Sequence, residues 1–204
     1  TPTTAGTLAK IDETSVTAVS FLTSTSVGTV TTGATTTAVE HGDGVNHFTV
    51  LTMTNFAVGT IPDNAALGIG ASFYTFPAGT ILIESVSFRG GLTGAVSVTA
   101  QTPEFGIGTT IALGAVSVLS GTGTFEDIMD GNSSGGTNGT TVAPDIAGTV
   151  FYKFSRNSLN YIIKTSGGAA RELFLNAAAT WSDVTAAGAA TVTGTICINW
   201  RIIG

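Results

Sequence analysis

Both histidines of this chain fall in one short stretch, Glu40-His41-Gly42-Asp43-Gly44-Val45-Asn46-His47, beside two carboxylates. Imidazole and carboxylate together ligate zinc or manganese, and they are also the groups of general acid–base catalysis. The spacing matches no zinc pattern, and the glycines supply no side chains to brace a ligand. The stretch therefore reads as a glycine-rich turn. It delivers His47-Phe48-Thr49-Val50-Leu51-Thr52-Met53 as the first core strand, with Phe48, Val50 and Thr52 on one face. A second acidic group, Glu104, Glu126 and Asp127, holds the makings of the carboxylate pair used in glycoside hydrolysis. Glu126 and Asp127 fit better in the first turn of a short helix, capped by Thr124, with Asp127 at the reciprocal capping distance and Gly131 ending the turn.

Three other patterns fall short of a site. Asp130, Asn132 and Ser134, followed by Gly135, begin like a calcium loop, but Thr141 stands where a bidentate glutamate is required, so a surface loop is expected. Gly68-Ile69-Gly70 and Gly106-Ile107-Gly108 do not complete a dinucleotide fingerprint. There is no GxSxG elbow, and the sole cysteine, Cys197, reads as a small buried apolar residue in a strand. No catalytic, metal or cofactor-binding residue is assigned, and the chain is expected not to be an enzyme.

The elements that would carry any site are strands. Only 10% of the 204 residues are charged, and 27 are glycine, with threonine abundant and helix formers scarce. Mean hydropathy is +0.41, yet no apolar run approaches the roughly 18 residues of a spanning helix, so no membrane partner is expected. A net charge of −6 and a pI near 4.6 argue against a nucleic-acid surface. Five cations, Lys153, Arg156, Lys164, Arg171 and Arg201, gather in the last quarter of the chain. Low charge density suits a protein whose surface is covered by partners. No signal peptide is read at the N-terminus.

Residues 1–38 are rich in Thr, Ser, Ala and Gly and too poor in large apolar groups to build a core; they are expected to form an extended arm that adds strands to a neighbour. Residues 39–204 form the folded domain. Its densest strand pattern runs from Phe76 to Asp130: Ile81, Ile83, Val86 and Phe88 alternate, a Gly90-Gly91-Leu92-Thr93-Gly94 turn follows, and Val96 and Val98 resume. Asn55 to Gly70 reads as an irregular connection, and Gly148 to Ile163 as a hairpin turning at Arg156-Asn157-Ser158. Arg171 to Asn176 reads as a short strand, Ala177 to Ala190 as a loop around Trp181, and Val192 to Ile203 as a final strand with Ile196, Ile198 and Trp200 on one face. The expected fold is an all-β, jelly-roll-like antiparallel β-sandwich of about eight or nine strands with an extended N-terminal arm.

The ordered set FPAG, TPEFGIGT, GTGTFEDIMDG, LFLNAAATW and TGTICINWRI resembles a group of virion structural proteins of tailed bacteriophages, over about Gly44 to the end of the chain. The comparison is with head decoration, or cement, proteins. The resemblance implies a non-enzymatic capsid-surface protein that bridges neighbouring capsomers as a homotrimer, with the major capsid protein and itself as partners. It carries no catalytic residues. Two other readings are a tail or fibre component, and a carbohydrate-binding jelly-roll module in which Trp181, Trp200 and Tyr74 would stack on sugars.

Overall fold

Runs in which apolar and short polar residues alternate can bury one side only as strands, and such runs build nearly the whole molecule. The computed structural model describes residues 28–30, 35–94, 103–133, 151–155, 161–164 and 171–203. In chain order the strands are β1 (Thr29–Val30), β2 (Thr36–Gly42), β3 (Asn46–Ile61), β4 (Leu67–Phe76), β5 (Thr80–Gly94) and β6 (Glu104–Gly108). They continue with β7 (Met129–Ser133), β8 (Phe151–Ser155), β9 (Tyr161–Lys164), β10 (Arg171–Ala179) and β11 (Gly188–Ile202). One sheet has the order β1-β4-β10-β6-β7, the other β2-β3-β11-β5-β8, with β9 also on β5. All pairings are antiparallel.

The order is that of a rolled ribbon. Setting β1 and β2 aside and taking β8 with β9 as one interrupted strand leaves eight. The first of these pairs with the last, the second with the seventh, the third with the sixth and the fourth with the fifth. Rolling then places β11 between β3 and β5, and β10 between β4 and β6. This is an antiparallel jelly-roll β-sandwich, as the alternation predicts. The preceding residues extend it at both edges, β1 on β4 and β2 on β3. β2 thus spans the boundary drawn at residue 38; residues 1–27 lie outside the described residues.

Between the sheets lies one core, in which Trp200, Phe73, Phe76, Phe88, Phe105, Leu51 and Ile81 are fully buried. Ile196, Ile198 and Trp200 all face inward from β11, as predicted. On β3 the expectation is reversed. His47, Thr49, Leu51 and Met53 point inward, whereas Phe48, Val50 and Thr52 share the outer face, because the polar partners that satisfy His47 and Thr49 lie inside. Cys197 alternates with its buried neighbours and is half-buried on the outer side rather than in the core.

Several local expectations give way to pairing. β5 runs straight through Gly90–Gly94, read as a turn, because these residues continue the ladder with β11. Gly90 and Gly194 stand opposite each other there, and a Cβ on Gly194 would lie 2.4 Å from the Arg89 carbonyl oxygen. Those glycines serve close backbone approach. β3 likewise extends to Ile61 through the stretch read as irregular; a bulge at Asn55 (φ 53°) absorbs a register shift against β11. The predicted hairpin does not form, since β8 and β9 both run antiparallel to β5, at Val86–Gly90 and Thr80–Ile83, and so continue one direction. Residues 177–179 prolong β10 instead of opening a loop. No helix covers 124–131; turns and bends lead into β7, and the only helical turn among the described residues is a 3₁₀ turn at Leu119–Gly121. Val96, Val98 and most of the calcium-like loop lie outside the described residues, with Asp130 exposed on β7.

Since the methyl group has no room, Gly194→Ala is expected to destabilise the sandwich by about 1–3 kcal/mol. Denaturant unfolding should show a lower midpoint at unchanged slope; an unchanged midpoint would contradict the close β5–β11 approach.

Candidate functional site

The β2–β3 hairpin decides the fate of the histidine and carboxylate cluster. Register pairs Glu40 with Thr49, His41 with Phe48 and Gly42 with His47. Successive residues on a strand face opposite sides, so Glu40 and His47 point into the sandwich, while His41 stacks on Phe48 outside it at 6.1 Å between ring centroids. Asp43 stays in the turn. Its Oδ1 accepts the backbone N–H groups of Asn46 (2.7 Å) and Val45 (2.8 Å), which hold its carboxyl below the usual aspartate range. Period-two alternation therefore splits the ligand set, and no group of three metal-binding side chains occurs among the described residues.

Inside, the hairpin makes a polar knot. Glu40 Oε1 lies 3.1 Å from His47 Nδ1, and Thr49 Oγ1 donates to Glu40 Oε2 at 2.7 Å. Tyr74, on the facing sheet, reaches the same Oε2 at 3.4 Å, and Trp200 Nε1 donates to Thr49 Oγ1 at 2.8 Å. Burial pushes the Tyr74 phenol well up, so it remains a neutral donor. The His47 ring lies flat on Trp200, with centroids 3.8 Å apart and planes 7° from parallel. Because a carboxylate only accepts, His47 Nδ1 carries a proton and donates it to Glu40, which leaves the other ring nitrogen, Nε2. That Nε2 is buried and has no hydrogen-bond partner.

Beside the knot opens a pocket of about 320 Å³, between the hairpin and the neighbouring stretches of β5 and β11. His47 and Trp200 form part of its wall, with His41, Phe48, Glu84 and Asn199 around them. Phe48 keeps 37% of its surface exposed. Glu84 pairs with Arg201 Nε at 3.3 Å, both half-exposed, and Asn199 Nδ2 donates to Ser85 Oγ at 2.7 Å. Sequence reading missed Phe48, Glu84 and Asn199 as pocket residues. The alternation that places them outside was legible, but the lateral order of β3, β11 and β5 was not.

The other candidates are absorbed by the fold. Glu104 accepts the Leu119 N–H at 2.7 Å, and Asp127 accepts both the N–H (2.8 Å) and hydroxyl (2.7 Å) of Thr109, so these carboxylates fasten loops. Buried Asn176 works alongside them: its Oδ1 accepts from Ala112 N–H, and its Nδ2 donates to the Thr110 and Phe125 carbonyls. Trp181, Trp200 and Tyr74 are all buried, with the Trp181 indole N–H held by the Leu67 carbonyl, so none presents a ring face for stacking on a sugar. No protein-family model, curated protein or solved structure matches the chain.

Removing the hub of the knot strands several buried polar groups at once. Glu40→Ala should lower stability by about 3 kcal/mol, and Glu40→Gln, which keeps an acceptor and the volume, by distinctly less. Equal losses in chemical unfolding would show that the carboxylate is not the hub.

Proposed function

We propose that this chain is a non-enzymatic structural protein of a tailed-phage virion, one that coats the capsid and bridges neighbouring capsomers, acting as a trimer. The observation that carries this reading is the division of labour along the chain. Among the described residues, the buried apolar core begins at Leu51 and the jelly-roll ribbon begins with β3 at Asn46. What precedes supplies edge strands, β1 on one sheet and β2 on the other, together with the Glu40 carboxylate of the polar knot. The chain thus enters the sandwich at its edge, and on this reading the segment ahead of it, residues 1–27, engages a neighbouring subunit.

Surface chemistry supports the same reading. With 10% charged residues and abundant threonine, the molecule has little charge to desolvate when it is covered. The outer faces of β3 and β11 carry Thr52, Thr54, Thr193 and Thr195 around a shallow depression of about 230 Å³, with Arg89 of β5 as its one charged residue. Short hydroxyl side chains lose little conformational freedom on contact and hydrogen-bond in either sense. The principal partners are then the major capsid protein and further copies of this chain, at the capsid surface.

Deletion of residues 1–27 is the direct test. The truncated protein should keep its strand spectrum and thermal midpoint but fail to co-sediment with capsids that lack the native protein. Undiminished co-sedimentation would contradict the role given to the N-terminal segment.

A further inference from the structure

We draw no further inference here: the strongest candidate, the apolar patch on the outer face of the β2–β3 hairpin, where Val39 stands opposite Val50 and Val39 and Phe48 stay exposed, carries nothing because nothing in the structure shows what covers it.

Discussion

The sandwich depends on the ladders that β11 makes with β3 on one side and β5 on the other. Together they join the first, third and last strands of the rolled ribbon, and nearly the full length of β11 is paired on both edges. A strand hydrogen-bonded on both sides has no freedom to slip, because a shift by one residue would turn Ile196, Ile198 and Trp200 out to solvent. The facing glycines Gly90 and Gly194 follow from the same constraint: β5 and β11 come so close there that neither position tolerates a Cβ in contact-free space. The inward side chains of β11 then meet Phe76 and the second sheet, with Trp200 edge-on to Phe76 at 5.1 Å.

Polar groups inside this core are few, and the largest gathering ties the hairpin to both sheets. Glu40 comes from β2, Thr49 from β3, Trp200 from β11 and Tyr74 from the facing sheet, so one carboxylate relates four strands. In a low-dielectric interior, such a network specifies one arrangement of its members more than it adds net stability. Nε2 of His47 is the one ring nitrogen of that arrangement left without a hydrogen-bond partner.

The fold was legible from the sequence because strand period and strand-forming composition agree along most of the chain, most plainly in β11. What was illegible is non-local. The Gly90–Gly94 run looks like a turn unless Gly194 is known to lie across from it, and Tyr161–Lys164 looks like a returning strand unless β5 is known to pair with it. The Thr124–Asp127 helix signal was real as local chemistry, but Thr109 captures Asp127 from a distant part of the chain. The histidine and carboxylate cluster is divided between two faces of the hairpin for a reason present in the sequence all along, since odd and even strand positions face opposite ways. The pocket itself was out of reach, being assembled from residues more than 100 positions apart, such as Phe48 and Asn199.

The central functional claim is that this chain is a multicopy coat of a capsid, built to be covered and not to catalyse. Its most direct test is the copy number of the chain in purified virions, measured by quantitative mass spectrometry against the major capsid protein. A count on the same scale as the major capsid protein is what the account predicts. Absence from the particles, or only the handful of copies that a tail or portal component would contribute, would contradict it.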